Sequence, residues 1–246
     1  MIIGGLQKFS LLDYPDTISA IVFTQGCNFR CPFCYNPMLV GPSTEVGKVQ
    51  YTLDESQVEK DHHLIEEGDL FRFLKTRVDK LDGVVVTGGE PTIHKDLGDF
   101  IKKIKDLGYL VKLDTNGTNP DVVQELVDKK LIDYIAMDLK TSSSKYKKAT
   151  NSNIDFQNIE KSVIIIKNSG LPYEFRTTVV PGLIDIDDIE KMGEVIKGAS
   201  KWYFQKFKSD IDLVNQDFQE VDPYTDKEME EMREVGAKFV KECGVR

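Results

Sequence analysis

Three of the four cysteines, Cys27, Cys31 and Cys34, stand within eight residues of one another, in the stretch GCNFRCPFCYN (Gly26–Asn36). The fourth, Cys243, lies near the other end of the chain. Thiolates spaced C-x3-C-x2-C can meet one inorganic centre from a single loop, and soft sulfur donors suit iron–sulfur clusters or zinc. Four-iron cubanes usually take four cysteines. Three thiolates leave one iron without a protein ligand, and an open coordination position is what chemistry requires, as catalytic zinc sites show. Structural zinc is the alternative. It would want a fourth ligand, and the candidates Cys243, His62, His63 and His94 do not stand at finger-like spacing. Cysteines that merely pack a core are the third reading.

A second constellation follows in TGGEP, Thr87–Pro91. Gly88 and Gly89 let backbone come close to a ligand. Glu90 places a carboxylate at the C-terminal end of a strand, where parallel α/β folds bind ligands. Alone, GGE is a tight turn. One strand after the cysteine loop, it argues for a shared site.

The elements that must carry these residues are legible as alternation. Six segments rich in β-branched and aromatic residues and bounded by turn formers read as strands: Ile18–Thr24, Gly83–Gly88, Tyr109–Asp114, Tyr134–Leu139, Tyr173–Val180 and Lys201–Phe207. Helical periodicity fills most of the intervals. Leu70, Phe73, Leu74, Val78 and Leu81 share one face, as do Leu97, Ile101, Ile104 and Leu107, with Gly108 as a C-cap. Asn119 and Pro120 open a further helix as N-cap and first residue. Others fit Asn158–Ser169, Asp187–Lys197 and Thr225–Cys243. Strands alternating with helices argue for an α/β fold with a parallel sheet, open barrel or doubly wound, in a single domain spanning residues 1–246. Gly41–His63 is the one long irregular stretch, and connections of that length are often functional.

Strand side chains alternate faces. Lys112 therefore shares a face with Asp114, Asp138 with Lys140, and Arg176 with Thr178, all near strand C-termini where a barrel site would use charge. The 246-residue chain is 40% hydrophobic and 30% charged, with a net charge of -9. That balance disfavours non-specific nucleic-acid binding, which needs clustered cations. No apolar run is long enough for a membrane span, and no signal-peptide pattern opens the sequence. A cytoplasmic protein with free thiols, bound to neither nucleic acid nor membrane, is the expectation.

CNFRCPFC and GGEP resemble the cluster loop and methionine-binding turn of the radical S-adenosylmethionine (SAM) superfamily. The resemblance implies a partial (βα)6 TIM-like barrel and a [4Fe-4S] cluster on Cys27, Cys31 and Cys34. It implies that SAM chelates the unique iron beside Gly88, Gly89 and Glu90. One electron from the cluster then splits the sulfonium to give a 5′-deoxyadenosyl radical.

DTNG (Asp114–Gly117), MDLK (Met137–Lys140) and RTTVVPG (Arg176–Gly182) are similar to strand ends of glycyl-radical-enzyme activating proteins such as pyruvate formate-lyase-activating enzyme. This implies that Asp114, Thr115 and Asp138 hold a monovalent cation, hard oxygens around a hard ion. It also places Phe33, through its backbone, at the adenine, and Lys140, Arg176, Val180 and Pro181 along SAM. Asn116 and Gly117 are expected to shape the turn. Tyr35 departs from the family pattern, in which a histidine commonly follows the third cysteine.

The segments GGLQKFSLLDYPDTISAIVFTQGCNFRCPFCYNP, LDGVVVTGGEPT and WYFQKFKS look most like the anaerobic ribonucleoside-triphosphate reductase activating class, a resemblance that runs from Gly4 to about Phe218. The implied reaction is removal of a hydrogen atom from a glycine Cα of a partner glycyl-radical enzyme, with flavodoxin or ferredoxin as electron donor. The catalytic groups are then the cluster and SAM themselves. Gly41–His63 reads either as a flap ordered by the partner or as a solvated loop. It lacks cysteine, which implies a single cluster. His62 and His63 are expected on the surface, and His94 and Cys243 in structural roles. Gln205 and Phe207 are expected either at the partner peptide or in packing. The rivals are a small-molecule radical SAM enzyme such as 7-carboxy-7-deazaguanine synthase, and a non-enzymatic iron–sulfur or zinc protein.

Overall fold

The computed structural model describes residues 1–41, 49–51 and 60–246. In chain order the elements are β1 (Ile3–Ser10), β2 (Ser19–Thr24), α1 (Pro37–Val40), β3 (Val49–Tyr51), β4 (Lys60–His62), α2 (Glu67–Lys75), β5 (Gly83–Gly88), α3 (Leu97–Lys105) and β6 (Leu110–Thr115). There follow α4 (Pro120–Asp128), β7 (Tyr134–Asp138), α5 (Tyr146–Thr150), α6 (Phe156–Asn168), β8 (Tyr173–Val179), α7 (Ile186–Val195), β9 (Lys201–Lys206), α8 (Asp226–Gly236) and β10 (Glu242–Val245). An eight-stranded sheet runs β1-β2-β5-β6-β7-β8-β9-β10, while β3 and β4 pair apart from it. The pairs β2–β5, β5–β6, β8–β9 and β9–β10 are parallel, and β1 joins β2 antiparallel. The expected α/β fold with a mostly parallel sheet is present. Among the described residues no helix is long and apolar enough to cross a membrane. Most of Gly41–His63, with the flap reading that falls on it, lies outside the described residues.

The six expected strands appear with ends shifted by at most one residue. The pair β3–β4 and two strands of the eight-stranded sheet were not expected. In β1, two glycines and the exposed Gln7–Phe9 dilute the strand pattern. In β10 only four residues pair, beside Lys201–Phe204 of β9. The expected helix Thr225–Cys243 is corrected accordingly. It starts with a capping box on Thr225 and Glu228 and ends at Gly236, so Cys243 lies in β10 opposite Trp202. Similarly, α2 ends at Lys75 and turns at Thr76, which leaves Val78 39% exposed rather than on a buried helical face.

The chain groups into two compact units, described in turn. One comprises 1–28, 36–115 and 121–135. Its core is built from apolar strand residues such as Val84, Val86, Val111 and Leu113, with Leu70 and Leu74 of α2 and Phe100, Ile101 and Ile104 of α3. Tyr14, in the β1–β2 connection, is buried with Ile21, Val85 and Tyr134. The other unit comprises 29–35, 116–120 and 136–246. Trp202 and Phe204 of β9 are fully buried there, ring centroids 4.6 Å apart in an edge-on contact. The Trp202 indole N–H donates to Thr177 Oγ1 (3.0 Å), whose hydroxyl donates to the Leu139 carbonyl (2.9 Å), so no polar atom of this contact is stranded. Phe204→Ala is expected to lower unfolding free energy by about 3–5 kcal/mol, measured by urea denaturation.

Candidate active site at the cysteine loop

Strands β2 and β5 lie side by side in register, with Thr24 opposite Gly88. The chain continuing from each is tied to the other. The Gly89 N–H donates to the Thr24 carbonyl (3.0 Å) and the Glu90 N–H to the Gly26 carbonyl (2.8 Å). Only glycine fits this approach. A Cβ on Gly89 would stand 1.9 Å from the Gly26 oxygen. A Cβ on Gly88 would stand 2.2 Å from the Thr24 nitrogen, and its φ of +125° disfavours any side chain. The opening of the cysteine loop and the GGE turn are thus one stitched piece of backbone.

The same unit anchors the loop from its far side. Gly26 N–H donates to the Leu39 carbonyl (2.8 Å) and Cys27 N–H to the Val40 carbonyl (3.3 Å), both in α1. The buried Gln25 amide donates to the Met38 and Gly41 carbonyls, each at 2.9 Å. Gln25 carries no chemical signature in the sequence, and nothing short of the structure identifies it.

The rest of the loop belongs to the second unit. The Cys34 N–H donates to the Cys31 carbonyl (3.1 Å), which folds the C-x2-C portion into a turn. The Arg30 N–H donates to the Thr150 carbonyl (2.8 Å), and the Pro32 carbonyl accepts from Asn215 N–H (2.9 Å). Tyr35 stacks on Phe207 (6.4 Å, 17°), and its hydroxyl accepts from the Lys208 N–H (2.9 Å). Phe207 is therefore buried packing, while Gln205 is half-buried. Burial raises the Tyr35 phenol above its ordinary value, so the ring stays neutral beside Cys34.

Glu90 is 1% exposed. Its Oε1 accepts from Thr92 N–H (3.0 Å), Thr92 Oγ1 (2.5 Å) and Thr115 Oγ1 (2.7 Å). The carboxylate therefore caps the turn at Pro91–Ile93 and ties it to the end of β6. Thr92 is a partner that the sequence did not single out.

The charges expected at strand ends form two ion-paired sets. In the first unit, Lys112 (2% exposed) meets Asp114 at 3.0 Å and also donates to the Asp13 carbonyl at 2.6 Å. In the second unit, Asp138 receives Lys140 (2.9 Å) and Arg176 Nε (2.8 Å). Burial pushes the Asp138 carboxyl up, but Arg176 and then Lys140 outweigh it and hold the carboxyl well below its ordinary range. Burial likewise pulls Lys140 down, yet Asp138, followed by Cys31 and Cys34, leaves the ammonium well above its usual value. Asn116 Oδ1 accepts from Thr118 N–H and Oγ1, and Gly117 sits at φ +76°, so both shape the turn as expected. Phe33 and Val180 are buried and Pro181 is half-buried. His63 is exposed; His94 is half-buried, and burial lowers its pKa, which keeps it neutral. Burial lifts the half-buried Cys243 thiol to about 11, which makes it a poor ligand at neutral pH.

The donor chemistry fits an iron–sulfur cluster. Cys27, Cys31 and Cys34 are all unbridged thiols, and the cationic Lys140 near two of them favours the thiolate form that binds metal. Among the described residues, no three His, Cys, Asp or Glu side chains converge to hold one metal ion. A cubane does not ask for that, because each thiolate binds its own iron.

The Radical SAM superfamily model matches residues 21–196. The chain belongs to the radical SAM superfamily. A Methanocaldococcus jannaschii protein named as a glycyl-radical enzyme activating enzyme is 30% identical over 100% of this chain and 95% of its own length. The pyruvate formate-lyase-activating enzyme of Clostridium pasteurianum is 30% identical over 79% of this chain and 76% of its own. Together they place the chain in the activating class of radical SAM enzymes. In fold it is similar to Streptococcus suis SuiB, solved with the precursor peptide SuiA (TM-score 0.62, 13% identity). The superposition covers 91% of this chain but only 47% of SuiB.

Two outcomes follow from this geometry. Glu90→Ala strands the Thr92 and Thr115 donors and is expected to destabilise the metal-free protein by about 2–3 kcal/mol in urea denaturation, with Glu90→Gln losing less. Asp138 has a folded pKa below its unfolded value of about 3.9. Its contribution is present above that value and lost as pH falls through the folded value. Asp138→Asn should therefore be less stable at neutral pH and decline less steeply below about pH 4, followed by thermal unfolding across pH.

Proposed function

We propose that this chain activates an anaerobic ribonucleoside-triphosphate reductase by removing a hydrogen atom from a glycine Cα of that enzyme. The observation that carries the radical SAM chemistry is the stitch between Gly26 and Gly89–Glu90, which holds the thiol loop against the GGE turn. The finer choice of partner rests on the segments Gly4–Pro37, Leu81–Thr92 and Trp202–Ser209.

In this reading Cys27, Cys31 and Cys34 hold a [4Fe-4S] cluster. When bound, the cluster supplies the electron that splits SAM, so that the nucleoside fragment takes the glycine hydrogen. The polypeptide binds and orients. The backbone at Gly88–Gly89 carries no side chain to obstruct the methionine portion of SAM, and Glu90 keeps that turn rigid. Phe33 meets the adenine through its backbone, and the segment at Val180 and Pro181 lies along SAM. Lys140 stays protonated through Asp138 and, with Arg176, faces SAM as a fixed cation. Asp114, Thr115 and Asp138 are the oxygen donors for a monovalent cation, and Lys112 holds the Asp114 carboxylate in place until one binds. Glycine suits the reaction because its radical is stabilised by the flanking amides and no side chain blocks approach. A flavodoxin or ferredoxin supplies the electron.

The test uses anaerobically reconstituted protein, SAM, a reductant and the reductase. The expected result is 5′-deoxyadenosine together with a glycyl-radical resonance on the reductase, both abolished in Cys31→Ala. 5′-Deoxyadenosine without that resonance would overturn the choice of partner, and a resonance on pyruvate formate-lyase alone would reassign it.

A further inference from the structure

We propose that Thr178 of β8 and Gln205 of β9 bind the backbone of the glycine-bearing peptide, through one hydroxyl and one carboxamide held side by side. The inference rests on the activating-enzyme reading above and adds the residues that recognise its substrate.

Contacts within the second unit fix which way these side chains point. Thr177 Oγ1 accepts from the Trp202 indole N–H, and a Cβ on Gly236 of α8 would stand 2.8 Å from the Phe204 ring. Thr177, Trp202 and Phe204 therefore fill the face of β8 and β9 that α8 covers. Strand side chains alternate, so Glu174, Arg176 and Thr178 of β8 share the opposite face with Lys201, Tyr203 and Gln205 of β9. Thr178 and Gln205 are partners in the parallel register, and both are half-buried. They lie near the strand C-termini, the end where parallel α/β folds bind ligands. Two residues after Gln205 comes Phe207, on which Tyr35 stacks, so this strand end is fastened to the cysteine loop.

The other polar side chains on this face are engaged. Glu174 meets Arg246 at 3.1 Å, and Arg176 Nε meets Asp138 at 2.8 Å. The Tyr203 hydroxyl donates to Glu242, which Lys201 also approaches at 3.8 Å. Among the described residues, the side chains of Thr178 and Gln205 have no hydrogen-bond partner. A half-buried polar group left open in this way gains most from a ligand that satisfies it.

The chemistry of the open pair identifies the ligand. Both groups are neutral. A carboxamide presents an acceptor and two donors in one plane, and a hydroxyl can do either. A peptide group asks for that combination, a donor for its C=O and an acceptor for its N–H. Neighbouring strands stand about 4.8 Å apart, close to the step of about 3.8 Å between successive residues of a peptide. The two side chains can thus engage adjacent peptide groups of one segment. Glycine offers no side chain to read, so an enzyme that selects it must grip the backbone beside it.

Titration calorimetry on the reconstituted, SAM-loaded and unreduced holoprotein tests this. The probe is an acetylated and amidated heptapeptide of alanines around one central glycine, and the backbone control is the same peptide N-methylated at that glycine. Wild type should bind the control about fivefold or more weakly than the parent peptide. Thr178→Val and Gln205→Leu should each weaken the parent peptide about fivefold or more, and Thr178→Ser should keep most of the wild-type affinity. The double variant Thr178→Val/Gln205→Leu should no longer tell the two peptides apart. A wild type that does not bind the peptide or ignores the N-methyl group, variants that bind it as wild type does, or a loss confined to SAM binding would overturn the proposal. A holoprotein that grips the peptide through both residues but raises no glycyl-radical resonance on added reductase or pyruvate formate-lyase would count against the functional reading and leave the peptide recognition standing.

Discussion

The whole site depends on a contact that tolerates no side chain. Where β2 and β5 end, the Gly89 α-carbon lies so near the Gly26 carbonyl that a single methyl group would collide with it. Two backbone hydrogen bonds close the contact. Hydrogen bonds of this kind contribute modestly one by one. Their importance here is geometric, because they make the start of a thiol-bearing loop and the turn after the next parallel strand move as one body. In the proposed reading, this is what sets a centre on the loop beside a ligand on the turn.

Buried charge forms closed sets within each unit. An ion pair removed from water gains little net stability, since desolvation offsets attraction. Lys112 and Asp114 are therefore weak candidates for stabilisers, and the same holds for Asp138 with Lys140 and Arg176. What such pairs do supply is a fixed charge state in a low-dielectric place. Lys140 remains an ammonium despite burial because Asp138 compensates it, and it is consequently present as a cation near Cys31 and Cys34. The Lys112 bond to the Asp13 carbonyl also draws the β1–β2 connection toward β6 and so links the packing around Tyr14 to the charged interior.

Much of this was legible in the residues. Strand runs such as GVVVTG and YIAMDL are apolar, β-branched and bounded by turn formers, and they appear where the pattern puts them. The cysteine spacing and the GGE turn carry their chemistry in their residue types. Other features left no local trace. β1 is an edge strand with polar exposed positions, and β10 is too short for any periodicity, so only tertiary pairing defines them. The α8 helix stops at Gly236 because the following chain is recruited to β9, a competition invisible to helical periodicity. Gln25 and Thr92 are ordinary polar residues whose importance comes from what folding places beside them. Tyr35 read as a departure from a family pattern, and its stacking on Phe207 shows what it does instead.

The central claim is that three thiolates leave one iron of a cubane open to SAM. Metal analysis and electron paramagnetic resonance of the reduced, anaerobically reconstituted protein, with and without SAM, address it most directly. The account requires about four irons per chain and a cluster signal that changes when SAM is added. Zinc in place of iron, or a cluster whose signal ignores SAM, would contradict it.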